Sequence, residues 1–287
     1  STTSNFSIIG SSGIDIFVKQ AGIDAHWGLE KTYDFYLNTF GRTSYDNQGG
    51  LIMSFINPQD MQPNISNPTA GYNAYATSDG IPGGVTFMKY GLGDYGDYQW
   101  HYAVLDVVAH EFTHHVTTFT ANLEYESESG ALNESFSDII GYATKNAITG
   151  ATNWILGEDI FQDPTPTNIT ITPIIRSMWN PNAKNNPDTY KGLHWANTWD
   201  LTFDAGGVHI NSGVQNHWFF LLSEGGNGTN DNGDSYSVTG IGIADALEIA
   251  YRNLNTQLSQ FSTYTDAYNG SLQAADDLFG NPSPQYS

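Results

Sequence analysis

One segment constrains this chain more than any other: Asp106-Val-Val-Ala-His110-Glu111-Phe-Thr-His114. Its pattern is helix-forming, and residues four apart lie on one face of an α-helix, so His110 and His114 present two imidazoles to a single point. Glu111 lies beside the first histidine at a different angle around the helix. The segment therefore predicts a helix that directs two metal-ligating side chains to one point, with a carboxylate next to them.

A second segment, Asn133-Glu134-Ser-Phe-Ser-Asp138, follows some twenty residues later. Glu134 and Asp138 are also four apart, so they share one face of a second predicted helix. Two imidazole nitrogens and one carboxylate make a tetrahedral zinc site whose fourth position is free for water, and we expect Glu134 to be the third ligand. Asp138 is then expected to accept the spare N–H of a ligand histidine. Together the segments predict metal-assisted hydrolysis, with Glu111 facing the water.

Three other interpretations of these segments are weaker. A helix with two hydrogen-bonded histidines on its inner face would not require the second carboxylate segment. A purely structural zinc site is usually closed by cysteine thiolates, and this chain has no cysteine. The competing zinc-protease pattern has Gly and His three and six residues after the second ligand, where this chain has Thr117 and Thr120.

A third segment, Asp204-Ala-Gly-Gly-Val-His209, places a histidine after two glycines. Glycine lets the backbone approach closely, so His209 could lie at the wall of a cleft. Hydrolysis of a peptide builds negative charge on the former carbonyl oxygen, and donors aimed at that oxygen stabilise the transition state. We expect His209, oriented by Asp204, to be such a donor, although this segment alone also fits a capping or core histidine.

The composition excludes two classes of partner. The chain of 287 residues has a formal net charge of −21, because it has 9 Lys and Arg against 30 Asp and Glu. Such a surface repels nucleic acid and anionic membranes, so neither is expected as a partner. No stretch of about eighteen apolar residues is present, so no membrane-spanning helix is expected. The start, Ser-Thr-Thr-Ser-Asn, is typical of a secreted protein whose signal and pro-segment have been removed, or of a trimmed product.

The N-terminal third of the chain has the texture of short strands and turns. Residues 14–18 favour a strand, and residues 24–38 favour an amphipathic helix capped by Asp24. Residues 41–100 are rich in turn formers. Short apolar runs at 51–56 and 85–88 within that stretch predict strands.

Long helical patterns follow and decide the fold class. They cover 102–119, 132–147, 211–223 and 243–259. Strands first and helices second predict an α+β fold, with a β-rich N-terminal domain at residues 1–124 and a mainly α-helical C-terminal domain at residues 125–287. The helix of His110 and His114 is expected between the two halves, at the base of a cleft.

Taken together, the segments resemble the thermolysin family of secreted bacterial zinc endopeptidases. The resemblance covers most of the chain, and several motifs in the family's order are far more specific than any one of them. The matching segments are Asp24–Trp27, Thr32–Tyr36, Arg42–Asp46, Tyr72–Tyr75, the helix of His110, Glu128–Gly141, Gly157–Asp159, Ile175–Met178, Gly206–Gly213 and Ala274–Gly280.

The resemblance implies a role for each matched position around the metal. His110, His114 and Glu134 correspond to the zinc ligands. Glu111 corresponds to the base that activates water and later carries its proton to the leaving amine. Asp138 corresponds to the carboxylate that binds the spare nitrogen of His110.

The resemblance also implies how substrate is held. Tyr125 and His209 correspond to the pair that stabilises the oxyanion, with Asp204 orienting His209. The family lines an apolar pocket at the positions of Val107 and Ile175, so cleavage is expected on the amino side of bulky hydrophobic residues. The implied substrate-binding residues are Asn73, Ala74 and Asn133 for the peptide backbone, with Ala74 in an edge strand, Arg176 for a carbonyl, and Val107 and Ile175 for the pocket.

One feature of the family is only partly matched. The family often carries two calcium ions near the zinc helix, and calcium requires about six to eight oxygen ligands. We therefore expect at most one structural calcium ion here, bound by Asp106 and Glu158. The matching positions are Asp106, Glu158 and Asp159, whereas Lys145, Asn153 and Ile155 stand where the family commonly has acidic residues.

The sequence thus predicts a secreted, extracellular bacterial zinc endopeptidase that acts as a monomer on peptides and proteins. Two other functions are possible for such a chain. A non-catalytic binding module would be favoured by a missing ligand or base, and none is missing. A zinc aminopeptidase uses a similar helix but needs carboxylates that bind a free N-terminus, and no separate motif for them is present.

Overall fold

The computed structural model describes residues 16–58, 73–78, 86–95, 98–160 and 175–285. The chain forms two compact units. The first consists of Ser1–His115 with Gly157–Pro173, and the second of Val116–Leu156 with Ile174–Ser287. The β-rich N-terminal half and the helical C-terminal half confirm the predicted α+β class.

The first unit opens with the long helix α1, Ile16–Phe40. Its buried stripe includes Ala21, Ala25, Leu29 and Tyr36, which recur at helical spacing. This stripe extends further toward the N-terminus than the sequence suggested, and two predictions are wrong as a result. Residues 16–18 are helical rather than a strand, and residues 14 and 15 lie outside the described part.

The second wrong prediction concerns Asp24, which lies inside α1 rather than at its start. Its carboxylate accepts a hydrogen bond from Gln20 Nε2 at 2.9 Å, one turn earlier. The other carboxylate oxygen lies 3.0 Å from His101 Nε2. Asp24 therefore links the helix to a later strand instead of capping it.

The described residues of the first unit also form two small sheets. Strands β1 (Met53–Ile56), β2 (Ala74–Ser78) and β3 (Thr86–Tyr90) form one sheet in the order β1-β3-β2. β1 is parallel to β3, and β2 is antiparallel to it. Strands β4 (Leu92–Tyr95) and β5 (Tyr98–His101) form an antiparallel pair. The strands predicted at 51–56 and 85–88 are confirmed.

Helix α2, Leu105–Thr118, confirms the helix predicted from the histidine spacing. Its fully buried residues include Val108, Phe112 and Val116, which recur every four positions. The ring of Phe112 packs against Tyr36 of α1, with centroids 5.4 Å apart. Tyr36 also shares a 2.8 Å hydrogen bond with Thr113. These contacts fix the rotation of α2 about its own axis.

The second unit is built around α3, Ser127–Thr149, whose residues Ser129 to Lys145 are all buried. Helices α4 (Asp204–Asn211), α5 (Gly213–Glu224), α6 (Ile243–Arg252) and α7 (Tyr264–Phe279) pack against it. Two antiparallel pairs complete the unit, β6 (Ile155–Leu156) with β7 (Arg176–Ser177) and β8 (Gly225–Thr229) with β9 (Ser235–Thr239).

The sequence did not predict α7, because this helix buries small residues rather than a stripe of large apolar ones. Ala267, Gly270, Ala274 and Ala275 are its buried positions. Its start does carry a recognisable signal, because Thr263 and Asp266 form a capping box.

α3 and α4 approach each other closely at Gly130. A Cβ atom at that position would lie 2.4 Å from Cγ1 of Val208, so only glycine fits without a shift of the helices. This contact sets the distance between the start of α3 and the residue that precedes His209.

Candidate metal centre and active site

The two histidines of α2 face a common point. Their Nε2 atoms lie 3.0 Å apart, and the ring centroids are separated by 4.7 Å with the planes at 87°. Two Zn–N bonds at a tetrahedral angle would place the nitrogens about 3.3 Å apart. The helix alone therefore presents His110 and His114 close to the geometry of two zinc ligands.

Glu134 completes a group that could hold a metal ion. His110, His114 and Glu134 each offer one ligand atom, and these atoms lie within 4.8 Å of one another. Two imidazole nitrogens and a carboxylate oxygen fit the donor preference of zinc, and three protein ligands leave a position open, as in catalytic rather than structural sites. The residues present therefore fit a catalytic zinc ion.

Glu134 is held by its neighbours in the second unit. It is buried in α3, with 1% of its surface exposed, and a buried carboxylate requires donors or positive charge around it. The hydroxyl of Tyr125 donates a hydrogen bond to Oε1. Nη2 of Arg176 lies 3.3 Å from Oε2.

Tyr125, His209 and Asp204 form a chain beside Glu134. The hydroxyl of Tyr125 lies 3.1 Å from Nε2 of His209, and Nδ1 of His209 lies 2.5 Å from Asp204 Oδ1. The backbone N–H of His209 donates to the other oxygen of Asp204 at 3.0 Å. Asp204 therefore holds both the ring and the backbone of His209.

The backbone at the start of α4 is not helical, which explains the two glycines between Asp204 and His209. Residues 204 to 207 all have positive φ, with 86° at Gly206 and 82° at Gly207. Only glycine adopts this region without steric cost. The left-handed run turns the chain so that Asp204 comes back to His209.

The charges around His209 raise its pKa above the usual value. Partial burial is the largest single influence and lowers the pKa, but the negative charge of Glu134 and the hydrogen bond to Asp204 outweigh it. Nε2 of His209 lies 3.5 Å from Glu134 Oε1.

Arg176 and Asp138 form a buried bidentate ion pair. Nε of Arg176 donates to Asp138 Oδ2 at 2.5 Å, and Nη2 donates to Oδ1 at 2.7 Å, the strong fork-to-fork geometry. Burial lowers the pKa of Arg176, but the negative charges of Asp138 and Glu134 outweigh burial and raise the pKa above its usual value. The guanidinium therefore stays charged. Asp138 also accepts a 2.7 Å hydrogen bond from Asn216, a residue that the sequence did not single out.

The structure thus brings Tyr125, Glu134, Asp138, Arg176 and His209 together in one network of the second unit. The sequence singled out all five residues but did not predict the ion pair. Arg176 and Asp138 are 38 residues apart, and no local pattern joins them.

The remaining predicted residues lie at several places. In α2, Glu111 and Val107 are buried. Burial and then the charge of Glu111 raise the pKa of Tyr90 well above its usual value. Asn133 is buried in α3 and donates to the carbonyl of Leu123 at 3.2 Å.

Asn73 and Ala74 lie at the start of β2, which is an edge of the described three-stranded sheet. Asn73 is exposed, and its carbonyl accepts a hydrogen bond from Gly91 at 2.9 Å. Ile175 is 37% exposed, and its N–H donates to Leu156 at 2.9 Å.

The calcium site is still a prediction. Asp106 is fully buried, and its two oxygens accept backbone hydrogen bonds from Val107 at 3.0 Å and Gly157 at 2.9 Å. Glu158 follows in a short 3₁₀ helix, Glu158–Ile160. Within the described ranges, these carboxylates do not belong to a group of three His, Asp or Glu side chains placed around one point.

No helix in the part of the chain that the structure describes combines the length and apolar character needed to cross a membrane.

An open His-His-Glu group next to a Tyr–His pair is an arrangement typical of metal-dependent hydrolases. Comparison with known proteins makes the assignment specific. Residues 2–118 match the catalytic domain of the thermolysin metallopeptidases, and residues 121–287 match their alpha-helical domain. The chain belongs to the thermolysin metallopeptidase family, which confirms the resemblance found in the sequence.

Individual relatives agree with this assignment. The chain is 36% identical over 274 residues to Neutral protease B of Bacillus subtilis (strain 168), covering 96% of this chain and 44% of that protein. It is 35% identical over 263 residues to an extracellular elastase of Staphylococcus epidermidis, covering 92% of this chain and 44% of the relative. The chain thus spans less than half the length of these relatives.

A solved structure also resembles the whole fold. The precursor of protealysin, a metalloproteinase from Serratia proteamaculans, superposes with a TM-score of 0.65 at 27% sequence identity. The superposition covers 96% of this chain and 77% of that one.

Proposed function

We propose that this protein is a secreted zinc endopeptidase that hydrolyses internal peptide bonds on the amino side of bulky hydrophobic residues. The observation that carries the proposal is the His110–His114–Glu134 group, whose ligand atoms lie within 4.8 Å of one another. These three residues would hold the zinc ion. When bound, zinc supplies Lewis acidity that polarises a peptide carbonyl and lowers the pKa of water.

Glu111 is proposed as the general base. It lies on α2 directly after His110 and is 5% exposed, so its carboxylate is shielded from competing bulk water. It accepts a proton as the oxygen of water bonds to the carbonyl carbon. It then delivers this proton to the amine nitrogen as the C–N bond breaks.

Tyr125 and His209 are proposed to donate hydrogen bonds to the developing oxyanion. The hydroxyl of Tyr125 lies 3.1 Å from Nε2 of His209, so the two side chains converge on one point. Asp204 holds the ring of His209 in place through Nδ1, which leaves Nε2 directed toward Tyr125 and the site. Donors that are already oriented cost no reorganisation during the reaction.

Arg176 is proposed to bind a substrate carbonyl. A guanidinium has five N–H donors, and the ion pair with Asp138 uses two of them. The contact with Glu134 involves Nη2. The ion pair with Asp138 therefore orients the guanidinium through Nε and Nη2, and the other N–H groups of Arg176 can bind substrate.

Recognition of the peptide is proposed to use the edge of β2 and an apolar pocket. Asn73 and the main chain of Ala74 would bind the substrate backbone by strand addition, and Asn133 would add a side-chain contact. Val107 and Ile175 would line the pocket for a bulky hydrophobic side chain.

Secretion and processing are supported by the relatives. One relative is described as an extracellular elastase, and the solved neighbour is described as a precursor. We therefore expect the protein to act outside the cell as a monomer after removal of a pro-segment. A structural calcium ion at Asp106 and Glu158 remains part of the proposal.

Cleavage mapping tests this function. A denatured substrate protein is digested with and without a zinc chelator, and the new termini are identified by mass spectrometry. The expected result is chelator-sensitive cleavage before Leu, Phe, Ile or Val within the chain. Equal cleavage after chelation, or release of single N-terminal residues only, would contradict the proposal.

Glu111→Gln tests the proposed general base. Because general acid–base catalysis contributes about 10²- to 10⁴-fold, kcat should fall by about a thousandfold. Zinc content, measured by elemental mass spectrometry, should be unchanged. Substantial residual activity would exclude Glu111 as the base.

A further inference from the structure

Asn216 connects two helices next to the buried ion pair. It lies near the start of α5 and is 1% exposed. Its Nδ2 donates to Asp138 Oδ2 at 2.7 Å, and its Oδ1 accepts from Ser135 Oγ at 2.7 Å. Ser135 and Asp138 belong to α3 and are fully buried. The amide of Asn216 therefore bridges two positions on one face of α3.

The carboxylate of Asp138 determines which way this amide points. A carboxylate only accepts hydrogen bonds, so the atom of Asn216 that faces Asp138 must be the donor nitrogen. The oxygen then faces Ser135, which donates to it. In the reverse orientation, an amide oxygen would face a carboxylate oxygen in a buried environment, which is unfavourable. Asp138 thus fixes the orientation of Asn216, and Ser135 holds the amide by donating to its oxygen.

Asn216 in turn orients Asp138. An ionised carboxylate has about four lone-pair sites, and two of them bind the fork of Arg176. Asn216 donates to Oδ2, the oxygen that also binds Arg176 Nε. The position of the carboxylate plane therefore depends on Asn216, and this plane determines where the guanidinium lies.

Arg176 passes this orientation to the predicted zinc ligand. Its Nη2 bonds to Asp138 Oδ1 and lies 3.3 Å from Glu134 Oε2. A continuous chain of polar contacts thus runs from Ser135 through Asn216, Asp138 and Arg176 to Glu134.

We infer that Asn216, held by Ser135, is a positioning residue for peptide hydrolysis: it aligns Asp138 so that Arg176 and Glu134 are held for substrate and metal. The inference rests on the proposed peptidase function. Asn216 itself touches none of the reacting groups, so its effect must pass through Asp138.

The test compares two buried amides that are neighbours on α5. Asn216→Leu removes the donor to Asp138 and keeps the branching and the number of heavy atoms of the side chain. Gln215→Leu is the matched control, because Gln215 is 5% exposed and its Nε2 has no hydrogen-bond partner among the described residues. Both variants are measured for melting temperature, kcat and KM on one peptide, and retention of zinc against a chelator.

We expect Asn216→Leu to lower kcat/KM by about 10- to 100-fold, as is typical for residues that orient metal ligands, and to lose zinc at a lower chelator concentration. Gln215→Leu should leave both properties unchanged. If both variants lose kcat/KM equally, or if neither does, the inference is overturned.

A double-mutant cycle separates positioning from general loss of stability. In an Asp138→Asn background, Asn216→Leu should have little further effect on kcat/KM, because the path through Asp138 is already broken. Equal fold-losses in the two backgrounds would overturn the inference.

Ser135→Ala extends the test if Asn216→Leu does not fold. It should reduce kcat/KM in the same direction by a smaller factor, and an unchanged kcat/KM would overturn the inference. Failure of the proposed function is seen separately, because the unmodified protein would then show no chelator-sensitive hydrolysis.

Discussion

The two helices that carry the predicted zinc ligands hold them in different ways. On α2, His110 and His114 face each other because of helical spacing alone, with Nε2 atoms 3.0 Å apart. On α3, Glu134 is oriented by Tyr125 from the preceding loop and by Arg176 from β7. Two of the three predicted ligands are therefore placed by local structure, whereas the third depends on residues outside its own helix.

This difference has a consequence for mutation. Changes around α2 that preserve the helix should preserve the histidine pair, since one turn of helix sets the geometry. Changes in the network of α3 should disturb Glu134 even when α3 itself stays intact.

Arg176→Met should have the largest effect on stability. It leaves the carboxylate of Asp138 buried without its cation, and breaking such a pair costs about 3–5 kcal/mol. Arg252→Met is the matched control, because Arg252 pairs with Asp277 at 2.7 Å and its side chain is 40% exposed. The free energy of unfolding, measured by urea denaturation, should fall by less than about 1 kcal/mol for the control. Equal losses would contradict the contrast.

Tyr125→Phe should reduce kcat on the order of 100-fold, the loss typical of one missing oxyanion donor, which corresponds to about 2.7 kcal/mol. KM should change little, because the hydroxyl acts on charge that develops in the transition state. Steady-state kinetics on a blocked peptide give the result. Tyr268→Phe is the control, since Tyr268 is 64% exposed, and a matching loss in that variant would exclude a specific role for Tyr125.

Gly130→Ala should destabilise the protein by about 1–3 kcal/mol, the usual cost of overpacking. The new Cβ would lie 2.4 Å from Val208 Cγ1 and 3.0 Å from the backbone of Tyr125. This cost exceeds the gain of about 0.5–1 kcal/mol from replacing glycine in a helix. Adding Val208→Ala should recover part of the loss in melting temperature. Failure to recover would show that the backbone contact dominates.

Replacement of His217 should change the free energy of unfolding only slightly, and only at acidic pH. Burial, opposed by the hydrogen bond to the carbonyl of Met178, lowers the pKa of His217 below its usual 6.5. The unfolded chain therefore binds a proton that the folded protein does not bind. The associated stability is present above pH 6.5 and is lost as the pH falls.

His217→Gln should accordingly weaken the fall in unfolding free energy between pH 7.5 and pH 5. Urea denaturation at the two pH values measures the change, and an unaltered pH dependence would show that other groups control acid stability.

Elements that depend on local patterns could be predicted from the sequence, whereas those that depend on distant contacts could not. Helix α2 and the strands near residues 53 and 86 were predictable, because each depends on a pattern within a few residues. The start of α1 and the helix α7 were not, because their burial is set by small residues such as Ala21 and Ala274, whose pattern is weak in a linear sequence.

The spacing of the two histidines and the family could be read from the sequence, since helical periodicity and the order of motifs are properties of the chain. Three contacts could not be read from it: Arg176 pairs with Asp138, Asn216 bonds to the same carboxylate, and Tyr125 reaches Glu134. Burial explains this difference. A charge without water must find its partners wherever packing brings them, and packing joins residues that no local pattern connects.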